Sequence, residues 1–223
     1  MSEMTTLQQR FAAANDALPL VAVLRGLRPA EAEAVGATLY GAGFRLIEVP
    51  LNSPDPFASV QILRRTVAAD ALIGGGTVLS RAQVGELKDS GAEMIFMPHA
   101  DLEVIRAAKV AGLLCVPGVA TPTEAFAALR AGADALKLFP AGDLITPKVV
   151  KAIRVVLPEG TRLLPFGGIT PDTMKPYLDA GAQSFGVGTS LYKPGMACDE
   201  ILQRAQAFVA AWSRLRQGEP QPA

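Results

Sequence analysis

The sequence Ala131-Gly132-Ala133-Asp134-Ala135-Leu136-Lys137-Leu138 (residues 131–138) joins the end of a predicted helix to the start of a predicted strand. Its glycine is expected to end the helix in the left-handed backbone region, and the apolar run after it is typical of a buried strand. The same stop recurs at residues 41–44, 90–93 and 180–183, with a looser copy at residues 111–113. The chain therefore repeats one helix-then-strand unit.

Eight short apolar runs follow one another along the chain, separated by segments with helical periodicity. Two of the helices are predicted to begin at Thr121, with Glu124 completing a capping box, and at residues 170–172. Each run is nearly continuous rather than alternating, which is typical of parallel strands covered on both faces. The runs span residues 20–24, 46–51, 71–74, 94–97, 113–116, 135–138, 162–166 and 184–187. This pattern predicts an α/β fold, a (β/α)8 TIM barrel, and leaves a doubly wound open sheet as the alternative.

The ends of the chain differ from this repeat. A helix is predicted from Thr6 to Ala14, so we expect residues 1–17 to form an extra N-terminal helix that caps the barrel. Residues 18–212 are expected to form the barrel as one catalytic domain, because no shift in composition divides them. Residues 213–223 end in a stretch rich in Pro, Gly and Gln, and we expect a flexible C-terminal tail.

The composition argues against nucleic-acid-binding, membrane-spanning and secreted proteins. The chain has 21 basic and 21 acidic residues, and this formal net charge of zero argues against a nucleic-acid surface. No apolar run approaches the roughly 18 residues of a membrane span, and the first residues lack the features of a signal peptide. The two cysteines are interpreted as reduced thiols. We therefore expect a cytoplasmic protein that acts on a small molecule and not on membranes.

Lys137 interrupts the sixth apolar run, between Leu136 and Leu138. Catalytic groups in such barrels come from the C-terminal ends of strands. Burial disfavours the charged ammonium, so the pKa of this lysine should fall and a neutral amine, which can attack a ketone, should form. The alternatives are a lysine paired with a carboxylate, one whose head reaches solvent, or a non-covalent phosphate ligand.

Glu48 lies in the second run with apolar neighbours on both sides. A carboxyl group in such surroundings should have a raised pKa, which suits proton transfer. The alternative is a structural ion pair with Arg25 or Lys137. Because a buried charge without a partner is unfavourable, Glu48 and Lys137 together indicate a catalytic pair more strongly than either residue alone.

Glycine pairs follow the last two runs. Gly167 and Gly168 come after the seventh, and the segment from Gly186 through Gly188 to Ser190 comes after the eighth. In these barrels the corresponding loops bind phosphate through backbone N–H groups, and glycine lets the backbone approach the anion closely. The sequence therefore predicts a phosphate site in these two loops.

Further candidates for binding substrate follow other runs. Arg25 is placed to contact a carboxylate or a phosphate, or else is structural, and Thr77 offers a hydroxyl and open N–H groups. Pro98 is included among the substrate-binding residues, whereas the neighbouring His99 is more simply interpreted as incidental. With a single histidine and Cys115 in an apolar run, we expect neither a metal site nor a Cys/His nucleophile.

Five segments resemble the 2-keto-3-deoxy-6-phosphogluconate and 6-phosphogalactonate aldolases. They are residues 19–26, 48–54, 74–77, 135–140 and 167–171. The resemblance runs from Leu18 to about Phe208, and its specific part is the order and spacing of Glu48 and the motif Lys137-Leu138-Phe139-Pro140. It implies a barrel enzyme that is a homotrimer, needs no metal or other cofactor, and cleaves a phosphorylated 2-keto acid.

The resemblance also implies a role for each matching residue. Lys137 corresponds to the Schiff-base lysine and Glu48 to the general acid/base. The remaining assignments are substrate binding by Arg25, Thr77 and Phe139, and phosphate binding by Gly167, Gly168 and Ser190, with Gly188 in the same loop.

Asn52 distinguishes two branches of this family. The gluconate enzymes usually carry an arginine four residues after the strand glutamate, where this sequence has Asn52, as in the galactonate branch. Losing that cation leaves Arg25 or backbone N–H groups to hold the substrate carboxylate, with Asn52 beside them. We therefore expect 2-dehydro-3-deoxy-6-phosphogalactonate as substrate, with pyruvate and D-glyceraldehyde 3-phosphate as products. The gluconate epimer and 4-hydroxy-2-oxoglutarate are the alternatives.

Two other functions remain open at this stage. A phosphosugar isomerase or epimerase would use two opposed acid/base groups and no covalent lysine. A non-catalytic protein that binds a phosphometabolite would keep the glycine loops without needing both Glu48 and Lys137.

Overall fold

A computed structural model of the protein describes residues 6–217. The helices are α1 Thr6–Ala17, α2 Pro29–Gly41, α3 Pro56–Thr66, α4 Arg81–Asp89, α5 Leu102–Val110, α6 Pro122–Ala131, α7 Pro147–Val156, α8 Met174–Asp179 and α9 Cys198–Gln217. The strands are β1 Leu20–Val23, β2 Leu46–Pro50, β3 Leu72–Gly76, β4 Met94–Phe96, β5 Leu114–Val116, β6 Gly118–Val119, β7 Leu136–Leu138, β8 Leu163–Pro165 and β9 Phe185–Val187.

All the strand pairs described are parallel, which confirms the predicted α/β class. One sheet has the order β5-β4-β3-β2-β1-β9, and β6, β7 and β8 form a second. The first five strands are adjacent in chain order and the last strand pairs with the first, so the sheet curls. Only Pro117 separates β5 from β6, and a parallel bridge joins Phe166, directly after β8, to Gly186 of β9.

The strands carry apolar side chains on both faces. One face packs against the surrounding helices in a large core, and the other encloses a smaller core that includes Val21, Leu46 and Leu72. Phe11 and Ala14 of α1 belong to this inner core, so α1 covers one end of it. Side chains alternate along a strand, and Glu48 shares the inner face with Leu46.

Predicted helix boundaries are confirmed where glycine or a capping side chain marks them. Gly132 follows α6 with a φ of 105°, and the stop glycines Gly43, Gly91, Gly112 and Gly181 also have positive φ. Thr121 and Glu124 form the predicted capping box at the start of α6. The prediction for residues 170–172 was wrong. They form a turn, closed by a hydrogen bond from the Thr173 N–H to Thr170 O, and α8 begins only at Met174.

The C-terminal boundary also requires a correction. Residues 213–217 belong to helix α9 and not to a flexible tail. Trp212 and Leu215 pack against the core from this helix, and that contact holds the last turns. The rest of the predicted tail, residues 218–223, lies outside the described residues. Between residues 6 and 217, no helix is long and apolar enough to cross a membrane.

Gly74 and Gly85 provide a matched pair of glycine-to-alanine substitutions. A Cβ at Gly74 would overlap the backbone carbonyl oxygen of Met94 on the neighbouring strand, whereas one at Gly85, exposed on α4, would meet nothing within 4 Å. We expect G74A to lower the free energy of unfolding by about 1–3 kcal/mol. We expect G85A to raise it by roughly 0.5–1 kcal/mol, because alanine favours a helix interior. Urea denaturation measures both, and equal midpoints for the two variants would contradict the packing of β3 against β4.

Candidate active site

Two ionisable side chains point into the inner core. Glu48 on β2 is 1% exposed and Lys137 on β7 is 6% exposed. Their strand neighbours, such as Ile47 and Leu138, all belong to the outer core, so the period of two turns both charged groups inward. Among the described residues neither makes a salt bridge, so the Lys137 Nζ atom and the Glu48 carboxylate oxygens lie more than 4.0 Å apart.

Burial is the main cause of the shifted pKa of the Glu48 carboxyl group. Desolvation raises its pKa from 4.5 to about 7, against the opposing positive charges of Lys137 and Arg25. Its Oε2 atom is buried and has no hydrogen-bond partner in the described structure. A Cβ at Gly76, on the neighbouring strand, would overlap this carboxyl group. The last glycine of the Gly74-Gly75-Gly76 run therefore provides the space that the carboxyl group occupies.

Burial is also the main cause of the shifted pKa of the Lys137 amine. Desolvation lowers its pKa, the negative charge of Glu48 opposes that shift, and the positive charge of Arg25 adds to it. The Nζ atom lies 4.5 Å from the ring centroid of Phe166 and 4.8 Å from that of Phe139. The amine therefore has apolar rings beside it and is easily deprotonated, as a nucleophile must be.

Lys137 opens onto a cavity of about 900 Å³. The cavity brings together eight of the residues predicted to form the site: Arg25, Asn52, Lys137, Phe139, Gly167, Gly168, Gly188 and Ser190. Lys137 comes from β7 itself, and the loops after β1, β2, β7, β8 and β9 supply the other seven. The predicted phosphate loops and the predicted nucleophile thus share one cavity.

Three predicted residues do not line this cavity. Glu48 lies beneath it in the inner core. Thr77 follows Gly76 with a φ of 56°, which is rare for a β-branched residue and orients the backbone after β3 differently from a regular strand. Pro98 packs its backbone against Gly118 of β6, and His99 beside it is exposed. The structure therefore leaves Pro98 without contact to the cavity.

Asn52 and Arg25 form one unit at the mouth. The Arg25 guanidinium donates a hydrogen bond from Nη1 to Oδ1 of Asn52, at 2.5 Å. The next residue, Ser53, accepts a hydrogen bond from the Gly26 N–H at 2.9 Å. Together these bonds join the loop after β1 to the loop after β2, and Asn52 orients the Arg25 side chain.

The two predicted phosphate loops are joined to each other. Gly167 and Gly168 have φ values of 109° and 65°, a conformation that a side chain would strain. The Ser190 hydroxyl donates a hydrogen bond to Ile169 O at 2.6 Å. Gly186 lies so close to the Phe166 ring that a Cβ would overlap it. The loops after β8 and β9 therefore form one wall of the cavity.

The sequence model of the KDPG and KHG aldolases matches residues 13–207. The chain belongs to this aldolase family. A probable 2-dehydro-3-deoxy-6-phosphogalactonate aldolase of Rhizobium meliloti is 46% identical over 90% of this chain and 94% of its own length. The 2-dehydro-3-deoxy-6-phosphogalactonate aldolase of Escherichia coli is 43% identical over 87% of this chain and 95% of its own. The family prediction made from the motifs is confirmed.

Solved structures support the same assignment. A structure described as native KDPGal superposes on this aldolase with a TM-score of 0.87 and 40% identity, covering 97% of this chain and all of the other. A KDPG aldolase from Legionella pneumophila, with pyruvate captured as a covalent carbinolamine, has a TM-score of 0.79 and 26% identity. That match covers 92% of this chain and 98% of the other.

The sequence interpretation missed several residues that line the cavity of this aldolase. Phe166 immediately precedes the glycine pair, and its place at the end of an apolar run was the available signal. Tyr192 and Lys193 follow the last strand, and Arg204 comes from α9. No spacing in the sequence links Arg204 to the mouth, because only folding brings α9 there. Within residues 6–217, no cluster of three or more His, Cys, Asp or Glu is placed to hold a metal ion.

The raised pKa of Glu48 predicts a pH-dependent stability. Between pH 4.5 and about 7 the folded state holds a proton on Glu48 that the unfolded chain releases, so stability falls as pH rises through this window. The Glu48→Gln variant lacks this titration. We expect its advantage in unfolding free energy over the wild type to grow from pH 4.5 to pH 8, by an amount on the order of a few kcal/mol.

Urea denaturation at pH 5 and pH 8 measures this difference. Glu103→Gln, at a side chain that is 64% exposed, is the matched control and should show no such change. A difference between Glu48→Gln and the wild type that stays constant with pH would show that Glu48 does not titrate in this window.

Proposed function

We propose that this chain is a metal-independent class I aldolase that cleaves 2-dehydro-3-deoxy-6-phosphogalactonate into pyruvate and D-glyceraldehyde 3-phosphate. The observation that carries the proposal is the buried pair Lys137 and Glu48 at the inner end of a cavity whose wall is two glycine loops. The identity to two relatives named as 2-dehydro-3-deoxy-6-phosphogalactonate aldolases supports the choice of substrate.

The first stage forms a Schiff base. The neutral Nζ of Lys137 attacks the C2 carbonyl of the keto acid and gives a carbinolamine. Glu48 gives a proton to the departing hydroxyl, which leaves as water, and the nitrogen lone pair closes the iminium. A carboxyl group with a pKa of about 7 is suited to this work, because it both accepts and returns protons near neutral pH.

The second stage breaks the carbon–carbon bond. Glu48, directly or through one water, removes the proton of the C4 hydroxyl, and the electrons of the C3–C4 bond flow into the iminium to give an enamine. D-Glyceraldehyde 3-phosphate leaves. Glu48 then returns the proton to C3, and water hydrolyses the new iminium to release pyruvate and restore Lys137.

Other residues would bind the carboxylate and the phosphate of the substrate. We assign the substrate carboxylate to Arg25, held by Asn52, and to the backbone at Thr77, whose left-handed conformation is the unusual feature of that strand end. Phe139 lines the pocket beside the amine. The phosphate is assigned to the loops of Gly167, Gly168, Gly188 and Ser190. Pro98 has no contact that supports a direct role, so we leave it out of the binding set.

We also make proposals for the closed barrel, the domain boundaries, the oligomeric state and the location of the enzyme. We propose that β5 and β6 act as one strand and that the bridge from Phe166 to Gly186 closes the two sheets into a (β/α)8 barrel. Residues 18–212 would then be the catalytic domain, with α1 as a cap over its closed end. The family resemblance supports a homotrimer, and we propose a location in the cytoplasm, which suits an enzyme of sugar-acid metabolism.

Trapping with borohydride tests the nucleophile. Incubation with pyruvate and sodium borohydride should reduce the iminium, and mass spectrometry should locate the added mass on the peptide that contains Lys137. Lys137→Met should give no adduct and no turnover, whereas Glu48→Gln should keep the lysine but slow turnover by roughly two orders of magnitude or more. An unmodified Lys137 peptide in folded wild-type protein would overturn the covalent mechanism, and the absence of pyruvate release as well would favour an isomerase or epimerase.

Comparison of two epimers tests the substrate. We expect kcat/KM for the phosphorylated galactonate-derived keto acid to exceed that for the gluconate-derived C4 epimer. A coupled assay for pyruvate release measures both with one preparation. The reverse order of the two values would assign the enzyme to the gluconate epimer despite Asn52.

A further inference from the structure

The cavity wall carries more positive charge than the proposed chemistry has used. Four cationic side chains line it: Arg25, Lys137, Lys193 and Arg204. None of the described side chains that line it is acidic. Arg25 and Lys137 have roles in the proposed mechanism. Lys193 and Arg204, beside the loop of Gly188 and Ser190, have none so far.

Without these two residues, a phosphate bound in the glycine loops would meet no cationic side chain on that side of the cavity. Phosphate near neutral pH mainly accepts hydrogen bonds, and a serine hydroxyl has one proton to give. The proton of Ser190 is already donated to Ile169 O, at 2.6 Å. Thr170 Oγ1 is likewise engaged with Thr173, at 3.3 Å. The backbone N–H groups and the hydroxyl of Thr189, which also lines the cavity, carry no charge, so a nearby cation would make the binding of a phosphate dianion much stronger.

Lys193 is held at the mouth by its two neighbours. Tyr192 is buried, and its N–H donates to Gly188 O at 2.9 Å, which ties the segment to the phosphate loop. On the other side, the Pro194 ring packs so closely on Gly26 that a Cβ there would lie 2.5 Å from it. The Lys193 backbone is thus fixed between the phosphate loop and the loop of Arg25. Its exposed side chain makes no salt bridge with any residue in the range 6–217.

Arg204 stabilises the phosphate loop from α9. Its guanidinium donates to Thr189 O at 3.3 Å and to Ser190 O at 3.4 Å, and it pairs with Glu200 at 2.7 Å. Because the guanidinium binds the carbonyl oxygens of these two residues, the N–H groups of the loop can point toward a bound anion. The guanidinium therefore orients the loop and adds positive charge next to it.

We propose that Lys193 and Arg204 complete the phosphate subsite: Lys193 binds the phosphate group directly, and Arg204 is a positioning residue that holds residues 189–190 and adds positive potential. This inference rests on the proposed function, because it deepens the same site. It assigns the selectivity for phosphorylated over unphosphorylated keto acids to two side chains outside the glycine loops.

Kinetics with paired substrates test the proposal. The two substrates are 2-dehydro-3-deoxy-6-phosphogalactonate and its unphosphorylated counterpart. One lost charge-assisted hydrogen bond corresponds to a change of about tenfold or more, so Lys193→Met should raise KM for the phosphorylated substrate by that factor. It should leave kcat/KM for the unphosphorylated substrate within about twofold. Lys88→Met removes the same charge from an exposed position on α4 and should change neither value.

Arg204 is tested by rescue. Arg204→Met should also raise KM for the phosphorylated substrate alone, and Arg204→Lys should recover part of the loss because it restores the charge. Equal losses on both substrates, or no loss in Lys193→Met, would overturn the inference.

Binding of inorganic phosphate separates this inference from the proposed function. Titration calorimetry should show weaker phosphate binding to Lys193→Met than to the wild type, by about tenfold, whether or not the enzyme turns over the keto acid. Wild-type protein that binds phosphate through Lys193 but releases no pyruvate would refute the proposed function and support the subsite. Active wild-type enzyme whose phosphate affinity is unchanged in Lys193→Met would refute the subsite alone.

Discussion

The desolvation of Glu48 and Lys137 inside an apolar core is the constraint on which the rest of the site depends. Each group alone would lose hydration without compensation, and each has its pKa moved toward the neutral form. Their mutual attraction opposes both shifts without cancelling them, since they are not in direct contact. The fold thereby keeps an amine that can attack and a carboxyl group that can exchange protons, at a cost in stability that Glu48→Gln should reveal.

Several glycines leave space that is occupied by groups of this site. Gly76 leaves room for the Glu48 carboxyl group, Gly186 lets the Phe166 ring lie beside Lys137, and Gly26 accepts the Pro194 ring. At each position a Cβ would fill space that a functional or supporting group now occupies. Glycine in β3 and β9 is therefore a packing requirement, separate from its use in turns, whereas Gly26 combines the packing role with a positive φ of 85°.

Charge is distributed along the cavity in an order that suits one kind of ligand. The buried pair lies at the inner end, Arg25 is fixed at the mouth by Asn52, and Lys193 and Arg204 lie on the side of the glycine loops. A ligand with a carboxylate near a ketone and a phosphate several bonds away would find cationic side chains for both of its anionic groups. The arrangement thus links the proposed covalent chemistry of Lys137 to the charge of the proposed substrate.

The sequence by itself determined the repeated helix and strand units, the glycine stops, the capping box of α6, and the pair Glu48 and Lys137, because these depend on local periodicity and on residue type. It misplaced the start of α8, where residues 170–172 form a turn. It also made residues 213–217 a tail, because the packing of Leu215 against the core is a tertiary contact. Only the tertiary structure decided that Asn52 holds Arg25, that Phe166 lies beside the amine, and that Arg204 reaches residues 189–190 in the loop after β9. These contacts join residues far apart in the chain, and no local pattern records which distant side chains the folded backbone brings within a few ångströms.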